Sequence, residues 1–111
     1  MKQSSDDRRA TPRFLAKQGN HIIYGAAPAA IRDLSLEGVY VIDPDPLPAG
    51  SELAFTLMAG ETEITLDGIV RHVVDGEGMG IQFVNVSAVS KRRLRIHIAS
   101  LVLAPSESVK I

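Results

Sequence analysis

Short apolar stretches separated by turn residues make up most of this chain. Leu53, Phe55 and Leu57 alternate with polar or small neighbours, the period of two that is typical of a half-buried strand. The same alternation recurs in residues 64–74 and 79–83, with tight turns between the segments. About six such strands with no helical segment between them predict one antiparallel β-barrel.

The first half of the chain has shorter segments. We predict strands within the following ranges: 14–17, 21–24, 29–34 and 38–42. Proline residues interrupt the connection 43–50, which therefore cannot continue a central strand. Gly68 lies in the middle of a long strand pattern and predicts a bulge or corner there. His72 has apolar neighbours, which favours a packed or hydrogen-bonded side chain over a metal ligand.

The pattern changes to a helical period after residue 86. Leu94, Ile98 and Leu101 share one helical face, and Ser87 is suited to cap the N-terminus. We therefore predict one helix over residues 88–103. Because a six-stranded barrel fills its interior with its own side chains, this helix is expected to cover an open end of the barrel.

The composition of the chain excludes several classes of protein and site. The chain has 111 residues, enough for one domain, and no cysteine, which excludes disulfides and thiolate metal sites. Its net charge of −1 divides into +3 for residues 1–20, −8 for residues 21–85 and +4 for residues 86–111. Basic ends on an acidic body favour local capture of an anion. The acidic body of the chain disfavours a nucleic-acid-binding barrel. The low aromatic content of 5% disfavours it too, because few side chains are available to stack on bases.

No enzyme motif is present. The histidines 21, 72 and 97 lack metal-ligand spacing, no serine lies in a nucleophile elbow, and no glycine-rich loop joins a strand to a helix. No charged-then-apolar leader or spanning segment occurs either. We expect a cytoplasmic binding protein without catalytic activity, metal, cofactor or membrane insertion.

Two short sequence motifs contain side chains that are suited to binding a ligand. The first is Arg9-Ala10-Thr11-Pro12-Arg13, preceded by Arg8. Guanidinium groups bind phosphate in a bidentate manner and stack on flat π-systems, so this motif suits a ligand with a phosphate and a purine. A solvated basic tail is the alternative.

The second motif is D-x-S-x-x-G at Asp33, Ser35 and Gly38. Alternation with Leu34 and Leu36 predicts that the two polar side chains leave one face of a strand together. An ionised carboxylate matches the N1–H and N2–H₂ donors of guanine, and Gly38 permits a positive φ or a close backbone approach. An ordinary turn capped by Asp and Ser is the alternative reading.

Together, in this order, R-x-x-x-R and D-x-S-x-x-G resemble the PilZ domain family. The resemblance continues through the proline-rich connection ending at Gly50, the strand Gly68-Ile69-Val70-Arg71, the segment Met79-Gly80-Ile81-Gln82-Phe83 and the terminal helix. It implies an all-β fold with a C-terminal helix, a six-stranded antiparallel barrel that binds the bacterial second messenger cyclic di-GMP. The expected division is a flexible segment 1–12, a barrel with helix 13–103, and a tail 104–111.

The resemblance also implies the ligand contacts. The following residues would bind cyclic di-GMP: Arg8, Arg9, Arg13, Asp33, Ser35 and Gly38. Arg9 and Arg13 would contact phosphate and a guanine face or its O6/N7 edge, and Asp33 would contact the N1/N2 edge. Ser35 would contact the ligand beside Asp33, and Gly38 would hold the shape of the loop. A separate hypothesis concerns Arg8, whose guanidinium would stack on a second cyclic di-GMP. Binding would order the N-terminal segment and signal to a separate effector protein that controls motility, polysaccharide or a related output. The alternative is a PilZ-fold interaction module that no longer binds the nucleotide.

Overall fold

The computed structural model describes residues 14–15, 20–25 and 28–103. The elements in chain order are β1 (Phe14–Leu15), β2 (His21–Ile23), β3 (Pro28–Leu34), β4 (Gly38–Ile42), β5 (Glu52–Ala59), β6 (Thr62–Val74), β7 (Gly78–Val84) and α1 (Ala88–Leu103). The predicted end segments 1–12 and 104–111 lie outside the described residues, so that division of the chain stays a prediction.

Six of the strands form a closed antiparallel barrel. Around the barrel the order is β2, β5, β6, β7, β4 and β3, and β3 pairs with both β4 and β2, so the sheet has no open gap between them. The short β1 adds to the outside of this circuit by pairing with β3. The six-stranded barrel predicted from the sequence is therefore confirmed, with β1 as an additional two-residue strand.

The interior of the barrel is filled by apolar side chains. Residues that alternate along the strands, such as Phe55 and Leu57 in β5 or Ile64 and Leu66 in β6, are buried in one continuous core. Close packing of this kind leaves no room for a ligand inside. Any binding site must lie on the outer wall or at the ends of the barrel.

Helix α1 packs onto the barrel as predicted. The Ser87 hydroxyl accepts a hydrogen bond from the Ser90 amide at 3.1 Å, which confirms Ser87 as the N-cap. The helix is anchored to β6 by the Ser90 hydroxyl, which donates to the Thr65 carbonyl at 2.7 Å. Leu94 and Ile98 join the barrel core. No helix in the described ranges is both long and apolar enough to span a bilayer.

Two details of β6 differ from the prediction. The bulge lies at Arg71, between the pairs Val70–Ile81 and His72–Gly80, not at Gly68. Gly68 instead leaves room for core side chains, because a Cβ there would lie 2.4 Å from Ile81 Cγ2. His72 is exposed rather than packed, since the bulge shifts the alternation of the strand by one residue.

Candidate functional site on the outer wall

The Asp33 carboxylate lies on the outer wall of the barrel because β3 contains a bulge. Ile31 pairs with Val41, but Asp33 pairs with Tyr40, so Arg32 is an extra residue in the strand. Paired residues share a face of the sheet, and Asp33 therefore points outward with Tyr40. Arg32 also faces outward, since it is exposed while Ile31 is buried. The bulge thus places two successive charged residues side by side.

Ser35 stabilises the turn between β3 and β4. The Ser35 side-chain oxygen accepts hydrogen bonds from the backbone amides of Glu37 at 3.1 Å and Gly38 at 3.2 Å. The backbone amide of Ser35 donates to the Gly38 carbonyl at 2.9 Å. The predicted alternation is therefore wrong here. Strand β3 ends at Leu34, and Leu36 is exposed in the turn while Ser35 is buried.

Gly38 meets the requirement for a close backbone approach. A Cβ at this position would lie 2.5 Å from the Ile81 carbonyl oxygen in β7. The φ angle of Gly38 is not in the left-handed region, so space and not backbone conformation explains the glycine. This confirms one of the two roles predicted for it.

We expect that Ser35→Ala destabilises the protein by about 1–3 kcal/mol, because the amides of Glu37 and Gly38 lose their acceptor and the bond from Gly38 is buried. Urea denaturation followed by circular dichroism measures this change. Ser100→Ala is the matched control, since its exposed hydroxyl only donates to the His97 carbonyl within the helix. Equal stability of the two variants would contradict the role given to the Ser35 hydroxyl.

Arg32 contacts the predicted site residue Asp33, although no motif in the sequence includes Arg32. Its Nε donates to Asp33 Oδ2 at 2.8 Å, and its guanidinium carbon lies 3.8 Å from the centroid of the Tyr40 ring. The hydrogen bond that Arg32 donates to the Asp33 carboxylate raises the pKa of Arg32 above its ordinary value. The Asp33 side chain is 12% exposed, so this pair is shielded from solvent on the carboxylate side.

A second arginine lies on the same wall. Arg71, the bulged residue of β6, donates from Nε to Gln82 Oε1 at 2.7 Å. Gln82 in turn pairs with Gly38 across β7 and β4. The two arginines of the acidic body, Arg32 and Arg71, therefore both emerge at bulges close to the D-x-S-x-x-G turn. Both arginines are exposed on this wall, where Arg32 is paired with the Asp33 carboxylate and Arg71 with the Gln82 amide oxygen.

The predicted ligand residues Arg8, Arg9 and Arg13 lie outside the described residues. Strand β1 begins one residue after Arg13, and Leu15 pairs with Asp33 in β3. The two motifs are thus connected through one pair of strands. No group of three or more His, Asp or Glu side chains in the described ranges is arranged to hold a metal ion.

A further polar pair is found at the end of the barrel wall, where the Tyr24 hydroxyl donates to Asp43 Oδ2. Burial, with the hydrogen bond to Asp43, raises the pKa of Tyr24 above its ordinary value. Asp43 Oδ1 also accepts from the Asp45 amide at 2.8 Å. These contacts shape the connection after β4, and we assign them a structural role.

A closed six-stranded antiparallel barrel with a filled interior and a C-terminal helix is the fold that the resemblance in the sequence implies. The family model described as "PilZ domain" matches residues 7–100, and the chain belongs to this family. The resemblance found in the sequence is confirmed. No curated protein matched the chain.

Solved structures agree with this assignment. The chain is similar to the PilZ domain with c-di-GMP of YcgR from Escherichia coli, with a TM-score of 0.73 and 21% identity over 93% of this chain and 98% of that one. It is also similar to the K. pneumonia MrkH–c-di-GMP complex, with a TM-score of 0.77 and 23% identity over 91% of this chain and 55% of that chain. At these identities the similarity establishes the fold.

Proposed function

We propose that this chain is a receptor for cyclic di-GMP, which it binds on the outer wall of the barrel around Asp33. The observation that carries this proposal is the outward position of the Asp33 carboxylate, held by Arg32 beside the turn that Ser35 and Gly38 build. A carboxylate accepts two parallel hydrogen bonds, which matches the N1–H and N2–H₂ edge of guanine. Membership of the PilZ family and the c-di-GMP in the YcgR and MrkH structures support the choice of ligand.

The arginines of the first motif complete the proposed site. Arg9 and Arg13 provide permanent positive charge for the two phosphates and flat guanidinium groups for the purines. Because Arg13 directly precedes β1, which pairs with the strand of Asp33, the two motifs can reach one ligand. Arg8 would stack on a second cyclic di-GMP, giving two ligands per protein.

We further propose that binding changes the surface around the N-terminal segment and passes the signal to a separate effector protein. The chain would act as a binding protein and not as an enzyme. A ligand clamped between the arginines of the first motif and the barrel wall creates a surface that neither has alone. Such a change is the basis of a disorder-to-order switch. An effector that recognises the combined surface would respond to the second messenger.

Isothermal titration calorimetry with cyclic di-GMP tests the proposal. Four or five charge-assisted contacts favour binding, and the free-energy cost of ordering the N-terminal segment opposes it. The balance predicts a binding free energy of about −8 kcal/mol, which corresponds to a micromolar dissociation constant. Arg13→Ala is expected to weaken binding at least about tenfold, since one such contact is worth about 1.5–3 kcal/mol. Arg95→Ala, on the exposed face of α1, removes the same charge and is expected to leave binding unchanged.

The same titration gives the stoichiometry. Two ligands per protein, reduced to one in Arg8→Ala, would support the role proposed for Arg8, and one ligand at saturation would refute it. Absence of binding at tens of micromolar would contradict the receptor function. That result would favour the alternative of an interaction module that no longer binds the nucleotide.

A further inference from the structure

Arg32 is held in place by contacts on two sides. Its guanidinium carbon lies 3.8 Å from the centroid of the Tyr40 ring, and its Nε donates to Asp33 Oδ2 at 2.8 Å. We call these three residues the Arg32 stack. The Arg32 side chain is 55% exposed, so the stack borders the solvent where a ligand would approach Asp33.

The Tyr40 ring is a rigid support for this stack. Tyr40 is 7% exposed, and its ring packs against Gly78 so closely that a Cβ on that glycine would lie 2.9 Å from Tyr40 Cε1. The Tyr40 hydroxyl is buried and has no hydrogen-bond partner within the described ranges. Since the hydroxyl makes no bond there, the contribution of Tyr40 at this position comes from its flat ring.

The position of Arg32 follows from the bulge in β3. Without the extra residue, strand alternation would place Arg32 and Asp33 on opposite faces of the sheet. With it, both face outward, and the guanidinium can reach the carboxylate of the next residue. A lysine at position 32 would keep the charge, but it has no planar group to lie on the ring while bonding the carboxylate.

We propose that Arg32 is a specificity-determining positioning residue, which lies on Tyr40 and orients the Asp33 carboxylate toward the guanine edge of a cyclic dinucleotide. This inference rests on the proposed function of the site. The direction of the carboxylate matters because two parallel hydrogen bonds to N1–H and N2–H₂ require the carboxylate to lie in the plane of the base. A carboxylate free to rotate would still attract a cationic or donor group, but it would discriminate less between purines.

Cyclic di-IMP is the informative probe. Hypoxanthine keeps the N1–H of guanine and lacks only the N2 amino group, so the two ligands have equal charge and shape elsewhere. A well-oriented Asp33 should therefore bind cyclic di-GMP at least about tenfold more tightly than cyclic di-IMP, the effect of one charge-assisted hydrogen bond. If Arg32 orients Asp33, removing it should lower this ratio and not only the affinity.

The experiment measures both dissociation constants by calorimetry for the full chain and for Arg32→Ala, Arg32→Lys, Tyr40→Leu and Arg95→Ala. In the first three variants we expect the preference for cyclic di-GMP to fall to within about threefold of unity. Arg32→Lys should recover part of the affinity but not the preference. Arg95→Ala should keep both, because it removes a charge elsewhere on the surface. Thermal melting of each variant checks that it is folded.

The outcomes separate the two proposals. If the wild-type chain binds cyclic di-GMP with a preference that Arg32→Ala and Arg32→Lys retain, the role of Arg32 is overturned and the receptor function stands. A preference restored fully by lysine would also overturn it, since charge alone would then suffice. If the wild-type chain binds neither ligand, the receptor function fails and the role of Arg32 fails with it.

Discussion

Asp33→Asn is expected to lower the affinity for cyclic di-GMP about a hundredfold. An asparagine offers one acceptor oxygen where the carboxylate has two, and its amide group would face the hydrogen-bond donors of guanine. Two charge-assisted hydrogen bonds are affected, each worth about 1.5–3 kcal/mol, and a loss of about 3 kcal/mol corresponds to roughly two powers of ten. The substitution also removes the charged partner of Arg32 at 2.8 Å. Calorimetric titration of the purified variant measures the effect.

Asp45→Asn is the matched control for this measurement. Asp45 is an exposed residue in the connection after β4, so losing its charge changes the net charge by the same amount as Asp33→Asn. We expect its affinity to stay within about twofold of the wild type, the range of a distant surface charge. If Asp33→Asn binds as tightly as Asp45→Asn while both melt normally, Asp33 does not contact the guanine base.

The barrel and the helix were predictable because their signals are local. Residues of β5 alternate between core and solvent, and the same holds for β6 as far as its bulge. A period of two or 3.6 needs no knowledge of neighbouring strands. The helix bounds 88–103 follow from the cap at Ser87 and the apolar face in the same way.

The bulges were not predictable in the same way, since a bulge depends on the register between two strands. Gly68 was the expected site in β6, yet the extra residue is Arg71, where only the pairing with Gly80 and Ile81 reveals it. In β3 a weak signal was present. Ile31 and Leu34 are both apolar and three residues apart, which breaks the alternation of a regular strand.

The candidate site was predicted in part for a related reason. Asp33, Ser35 and Gly38 belong to a motif that can be recognised in the sequence, whereas Arg32 belongs to none. Its contacts with Asp33 and Tyr40 arise only because the bulge places it on the outer wall beside them. The spacing of a motif can be read in the sequence, whereas the contacts that Arg32 makes depend on the register of the folded strands.

Gly38→Ala is expected to destabilise the protein by about 1–3 kcal/mol, the range found when a methyl group is forced into a packed position. The added Cβ would lie 2.5 Å from the Ile81 carbonyl oxygen, a backbone atom that cannot move without disturbing the pairing of β4 with β7. For a domain of this size the melting temperature should fall by roughly 4–12 °C. Differential scanning calorimetry measures this directly.

Gly25→Ala is the control that separates crowding from the general effect of removing a glycine. A Cβ at Gly25 would meet no atom of the described residues within 4 Å apart from its chain neighbours, and the φ of Gly25 is not in the left-handed region, so this variant should be neutral or slightly stabilised. Ligand affinity gives a second comparison. The Ser35 amide donates to the Gly38 carbonyl at 2.9 Å, so a shift of residue 38 also displaces the turn beside Asp33. Gly38→Ala should therefore weaken cyclic di-GMP binding even at temperatures well below its melting point, where the variant is still folded. Unchanged stability and affinity would show that β7 accommodates the methyl group.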